Sequence, residues 1–204
     1  SALKEALAKA YPATPPAHCL ALDVQDVEKI KALPEGLPAE VSAPDILVNN
    51  AGLALGVAPV WSNKIEDVQT MFQTNVTGLI AMSTAVLPGM RERANGHLIN
   101  IGSIAGHEAY AGGSVYCATK FAVDAYTTAA RHDLVGTPIR VSAISPAMVN
   151  TEFSTVRLGD KAAADKVYDG LEALVAADIA DNVFYCATRP RHVQIGEVVV
   201  WPTN

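Results

Sequence analysis

Cysteine is scarce in this sequence: Cys19, Cys117 and Cys186 lie far apart and form no Cys-x-x-Cys pair. That pattern excludes a disulfide framework and a cysteine-built structural zinc site, and three reduced, mostly buried thiols are expected. Basic charge is also in deficit, with 15 Lys and Arg against 21 Asp and Glu and a net charge of −6. A nucleic-acid or anionic-membrane partner would need a basic patch, so neither is expected. No apolar run approaches the roughly 18 residues that cross a bilayer. The opening SALKEALAKAYP carries Lys4, Glu5 and Lys9 and lacks the apolar stretch of a secretory signal. Glycine is missing altogether before Gly36. Together these absences predict a soluble protein of the cytoplasm whose first 35 residues hold no glycine-rich turn.

What is present is apolar and punctuated. Half of the 204 residues are hydrophobic, enough for one domain with a sizeable core. Short runs rich in Val, Ile and Leu occur at 18–22, 45–48, 97–101, 140–144 and 197–201. Continuous rather than alternating apolarity marks strands buried on both faces, as in a parallel sheet. Helical patterns fill 65–93 and 114–135, with shorter ones at 161–168 and 177–187, and Gly and Pro mark the joints. Strand–helix–strand repetition predicts an α/β fold: a doubly wound, Rossmann-type parallel sheet with helices on both faces. Such a fold ordinarily opens with a strand, a glycine-rich turn and a helix N-terminus that receives a pyrophosphate. Here an amphipathic helix leads directly into the run ending at Asp23, so the opening βαβ portion is expected to be absent. Residues 1–204 read as a single dinucleotide-binding and catalytic domain, incomplete at its N-terminus.

Tyr116 and Lys120 stand in YCATK, four residues apart and so on one helical face. A phenol titrates near 10 and is a poor base at neutral pH; a nearby ammonium favours the phenolate. Chance supplies a Tyr-x-x-x-Lys in many chains of this size, and the pair gains weight only from its neighbours. Ser103 ends HLINIGS, where a strand meets the sheet's carboxyl edge and ligands bind, although a serine there is as readily a turn or cap. Asn75 sits inside the long helical pattern, where its amide competes with the backbone; a kink or a bound water would explain it. The run 45–48 leads into Asn49-Asn50-Ala51-Gly52, small residues that let a flat ligand approach, with Gly52 free to take positive φ. Asp23 places a carboxylate at a strand end, and Pro146, Val149 and Thr151 follow the run 140–144.

In order and spacing these motifs resemble the short-chain dehydrogenase/reductase family, from Leu20 onward. The phrases NNAGLALG, HLINIGSIAG, YAGGSVYCATK, TEFSTVR and VVVWPTN are similar to the branch of NADP-dependent 3-hydroxy acid (serine-type) dehydrogenases. The resemblance implies an oxidoreductase that moves hydride between a nicotinamide dinucleotide and a small hydroxy acid or its carbonyl counterpart. It implies Tyr116 as general acid/base, Lys120 lowering its pKa and holding the nicotinamide ribose, Ser103 polarising the substrate oxygen, and Asn75 fixing a water beside Lys120. Asp23 would meet the adenine end, Asn49, Ala51 and Gly52 the adenosine ribose, and Pro146, Val149 and Thr151 the nicotinamide and pyrophosphate. Tyr116 and Lys120 would also touch the cofactor.

Two departures stand out. Pro146 is followed by Ala147 where the family has glycine, and the residues that choose between NAD and NADP have no counterpart here. NADP is therefore implied by the branch, with NAD still open. Arg157 is a candidate partner for a substrate carboxylate, and His107 and Tyr110 are candidate pocket residues. No metal ligand set is evident. The resemblance further implies a homodimer or homotetramer, for which the small apolar residues along 77–87 and 122–130 are suited. A different alcohol or carbonyl substrate, or an inactive fragment with a binding role and an exposed strand edge, are the alternatives.

Overall fold

The computed structural model describes residues 2–10, 12 and 17–204. Four parallel strands form one sheet in the order β1-β2-β3-β4: β1 (Ile46–Asn49), β2 (Gly96–Ile101), β3 (Ile139–Pro146) and β4 (Glu197–Val200). The register runs Ile46 to His97, Leu98 to Val141 and Ile144 to Val198. The helices are α1 (Ala2–Ala10), α2 (Val27–Gly36), α3 (Ile65–Phe72), α4 (Leu79–Glu92), α5 (Ser114–Asp133), α6 (Phe153–Leu158), α7 (Lys161–Lys166) and α8 (Ala176–Ala187).

Successive strand residues face opposite sides of a sheet, and the core divides accordingly. Leu98 and Val141 point to one side, where they meet Met90 and Leu87 of α4 and Ala130 of α5. Ile99 and Ile144 point to the other side and meet Cys186, Ile179 and Val183 of α8. Helices thus cover both faces, which is why these strands read as unbroken apolar runs.

Of the five expected strands, four form. The run 18–22 does not; it has no strand structure, and Leu20 is exposed. A strand is held by its hydrogen-bonded ladder, and no described strand lies beside this run to supply one. The same absence leaves β1 at the edge, with Ile46 and Val48 exposed. Helix α2 is an addition to the expected elements. Asp26 caps it by accepting from the Lys29 amide at 3.1 Å, and Pro34 is tolerated in its last turn.

The expected helix 65–93 is interrupted. Between α3 and α4, Gln73–Gly78 forms a π-helical turn centred on Asn75. A cause is visible in the Asn75 side chain, whose Oδ1 accepts from the Leu53 amide at 2.8 Å while Nδ2 donates to the Leu53 carbonyl at 2.8 Å. π-Turns of this kind concentrate at functional sites. Gly78 closes the turn against the chain at Val24, where an added Cβ would lie 2.6 Å from the Val24 carbonyl oxygen.

Candidate active site

Helix α5 presents Tyr116 and Lys120 on one face, one turn apart, at the carboxyl edge of the sheet. Lys120 is buried, and its Nζ donates to the Ile101 carbonyl at the end of β2, at 2.9 Å. Removal from water brings the ammonium down to about 8. Burial acts on Tyr116 in the opposite sense and pushes the phenol up to about 12, with the Ser103 hydroxyl and the Arg157 guanidinium working against that rise. The expected lowering of Tyr116 by Lys120 is therefore not what this arrangement gives. Nζ lies 5.8 Å from the Tyr116 ring centroid and is turned to a backbone carbonyl, so desolvation prevails.

Ser103 keeps both of its readings. Its Oγ accepts from the Ala105 amide at 3.1 Å, capping the short 3-10 turn Ile104–Gly106, and it lies 3.5 Å from the Pro146 carbonyl. Gly106 belongs to the same construction, since a Cβ there would meet the Lys120 carbonyl oxygen at 2.8 Å. Asn75 closes the group from the side of the π-turn. Its Nδ2 also donates to Thr119 Oγ1 at 3.0 Å, and that hydroxyl donates to the Tyr116 carbonyl at 2.7 Å. Thr119, buried and one hydrogen bond from the Tyr116 carbonyl, is a site residue that sequence reasoning missed; its only signal is its place inside YCATK.

Gly52 lies where expected but for a different reason. Its φ is not positive. It is small because a Cβ would approach Asn75 Oδ1 to 3.3 Å and Lys120 Nζ to 3.8 Å. Ala51 and Gly52 are exposed at the end of β1, open to a ligand. Asn49 lines the cleft at the end of β1, with its side-chain amide turned inward. Its Nδ2 donates to Ser83 Oγ at 3.0 Å and Asn100 Oδ1 at 2.9 Å, so the amide is committed to the core. Asn100 continues the chain to Thr127 Oγ1 at 2.9 Å, tying β1, β2, α4 and α5 together.

Asp23 is exposed and accepts from the Gln25 amide at 2.9 Å, bracing the turn before α2. Its neighbour Val24 lines a cleft with Asn50, Ala51, Thr74 and Gly78. Thr74 Oγ1 is a buried polar group of that wall without a hydrogen-bond partner. Together with the exposed Ala51–Gly52 backbone, this fits a nicotinamide dinucleotide approaching the end of β1. No glycine-rich turn for the pyrophosphate lies among residues 1–35. Pro146 ends β3, the Val149 carbonyl accepts from the Tyr168 hydroxyl at 2.9 Å, and Thr151 Oγ1 accepts from the Phe153 amide at 3.3 Å.

Helix α6 lies over Tyr116. The Phe153 ring is 5.5 Å from the Tyr116 ring, and the Arg157 guanidinium is 5.8 Å from it. Arg157 is also clamped across the cleft: Nε donates to the Gly56 carbonyl at 3.1 Å and a terminal nitrogen donates to Tyr110 Oη at 2.9 Å. Arg157 and Tyr110 thus join the group around Tyr116. The His107 ring meets Glu197 of β4 at 2.8 Å.

The match to the short chain dehydrogenase family model spans residues 1–161. The chain belongs to that family. It is an oxidoreductase that works with a nicotinamide cofactor. It is 46% identical over 186 residues to an NADP-dependent 3-hydroxy acid dehydrogenase of Schizosaccharomyces pombe, covering 91% of this chain and 72% of that protein. It is 49% identical over 185 residues to the NADP-dependent 3-hydroxy acid dehydrogenase YdfG of Escherichia coli, covering 90% and 75%. The closed form of a serine dehydrogenase complexed with NADP+ superposes with a TM-score of 0.90 at 44% identity, over 97% of this chain and 81% of that one.

Proposed function

We propose that this chain is an NADP-dependent oxidoreductase that interconverts a small 3-hydroxy acid, serine-like in size, and its carbonyl counterpart. The single observation that carries the reading is Tyr116 with the Ser103 hydroxyl, the buried Lys120 ammonium and the Arg157 guanidinium gathered about it. When bound, the dinucleotide supplies the hydride chemistry. The chain's residues handle the proton and the substrate's orientation. Tyr116, held as a neutral phenol by its burial, is the proton donor to the nascent alkoxide in reduction; in oxidation it must first lose its own proton, and the phenolate so formed accepts the hydroxyl proton. Ser103 Oγ orients the same oxygen. Lys120 and the exposed edge at Ala51 and Gly52 would hold the nicotinamide and adenosine riboses, with Asp23 toward the adenine and Val149 and Thr151 along the nicotinamide side. Asn75 keeps the 52–53 loop beside Lys120, and Arg157 would pair the substrate carboxylate.

The test is turnover of NADP+ and of NAD+ with serine and other 3-hydroxy acids, followed by nicotinamide absorbance, for the protein and for Tyr116→Phe. Loss of the proton-transfer group should lower kcat by about 10²- to 10⁴-fold with cofactor affinity preserved. A variant within a few-fold of the parent would remove Tyr116 from the reaction. A homodimer or homotetramer is part of the proposal, favoured by exposed Phe121 on α5 and by Phe184, Tyr185, Val199 and Trp201 on α8 and around β4; light scattering decides it. A reducing cytoplasm fits the buried thiols Cys117 and Cys186, which form no disulfide. Among the described residues no helix is long and apolar enough to cross a membrane.

A further inference from the structure

One group of potential metal ligands converges among the described residues, outside the site around Tyr116. His107 follows the turn that carries Ser103, Asp124 lies one turn beyond Lys120 on α5, and Glu197 opens β4. One nitrogen from the histidine and one oxygen from each carboxylate lie within 4.8 Å of one another. Three separate elements, distant in sequence, deliver these atoms to one partly exposed point. His107 Nε2 and Glu197 Oε1 are already 2.8 Å apart, with side-chain exposures of 35% and 30%. Ser145, itself buried, donates to the same Glu197 oxygen at 2.6 Å and fixes the carboxylate's direction from behind. An outer hydrogen bond of this kind is how ligating carboxylates are oriented in metal sites.

From this geometry we propose that His107, Asp124 and Glu197 form a binding site for a divalent first-row transition ion of the zinc type. The donor chemistry selects the ion. A neutral imidazole nitrogen with two carboxylates suits zinc, cobalt or nickel, whereas calcium and magnesium favour oxygen-only sets. Bonds of about 2.1 Å place tetrahedral ligand atoms about 3.4 Å apart. Atoms within 4.8 Å need only small side-chain rotations to reach that arrangement. Two carboxylates meeting at one imidazole are also a local excess of negative charge that a dication would neutralise. Three protein ligands leave a fourth position for water, and the outward exposure of His107 and Glu197 provides an entry path. A bound ion would tie the turn after Ser103 to α5, the helix that carries Tyr116 and Lys120.

The experiment is a titration of tag-free protein with ZnCl₂, by calorimetry and thermal shift, and with CoCl₂ by visible absorption. Stoichiometric zinc binding with a raised Tm is expected, and the variants Asp124→Asn and His107→Gln should each weaken it at least tenfold. Both substitutions are at partly exposed positions, and circular dichroism of each variant checks that the fold is kept. Cys19→Ser serves as the control, because an exposed thiol next to His18 is the other place zinc might settle. The proposal is overturned if no zinc binds at millimolar concentration. It is equally overturned if Cys19→Ser abolishes binding while Asp124→Asn and His107→Gln leave it unchanged.

Discussion

Replacing Arg157 by leucine separates recognition of a carboxylate from everything else this residue does. The guanidinium has two roles visible in the structure. It clamps α6 across the cleft through Gly56 and Tyr110, and it sits 5.8 Å from the Tyr116 ring, favouring ionisation of that phenol. Both roles serve any substrate, so their loss lowers activity on hydroxy acids and on uncharged alcohols alike. Pairing with a substrate carboxylate would add a third effect, confined to acids. A hydrogen bond to a charged group is worth roughly 1.5–3 kcal/mol, which corresponds to a loss of about 10- to 150-fold in kcat/KM.

The quantity to measure is therefore the ratio of kcat/KM for a 3-hydroxy acid to that for the corresponding uncharged alcohol. Arg157→Leu should lower this ratio by about 10- to 150-fold, mostly through KM. Tyr110→Phe, which removes one arm of the clamp and keeps the charge, should leave the ratio unchanged. Arg157→Lys keeps a charge without the planar fork and should fall between. With Arg157 gone, burial of Tyr116 is less opposed, so the pH profile of oxidation should also move toward higher pH for every substrate. A ratio that stays constant in Arg157→Leu while both activities fall together would show that the residue only holds the lid.

Three further outcomes follow from the core and its packing. Asn49→Ala removes two hydrogen bonds and leaves Asn100 Oδ1 unpaired inside the sheet; urea unfolding should show a loss of about 2–4 kcal/mol, and under 1 kcal/mol would contradict the network. Burial and the nearby Arg140 bring buried His97 from 6.5 down to about 4, while its Nε2 meets Ser142 Oγ and its Nδ1 has no partner. A lowered folded-state value means the unfolded chain takes up the proton first. Stability contributed by neutral His97 is thus intact above pH 6.5 and lost as the pH falls to about 4, by up to about 3 kcal/mol, and His97→Gln should flatten that slope. Gly78→Ala would drive a methyl to 2.6 Å from the Val24 carbonyl oxygen, so a cost of about 1–3 kcal/mol is expected in thermal unfolding, against the slight gain that alanine ordinarily gives inside a helix.

The sheet was legible because its central strands β2 and β3 are buried on both faces, and unbroken apolarity is the direct imprint of that burial; the edge strands β1 and β4 keep the apolar composition with exposed residues among them. The run 18–22 carries the same imprint and forms no strand, because apolarity records an affinity for cover while a strand also needs a neighbour's backbone. The hydrogen bonding of Asn49 is legible from the pleat alone. Two residues from Leu47, it shares the face that packs against α4 and α5, so its amide reaches Ser83 and Asn100 while the residue still lines the cleft. Asn75 was legible as an anomaly, since an amide in mid-helix needs a reason; that the reason is the backbone of Leu53 is a contact between segments that spacing does not encode. The same limit explains Tyr116 and Lys120. Their interval fixes a shared helical face, and the structure keeps it. The direction of a flexible amine within that face is set by whichever acceptor lies in reach, and here that acceptor is the Ile101 carbonyl at 2.9 Å. Lys120 is thereby poised beside the phenol without yet neutralising the effect of its burial. A drop in the Tyr116 pKa would require either that Nζ leave Ile101 or that a second positive charge enter the cleft.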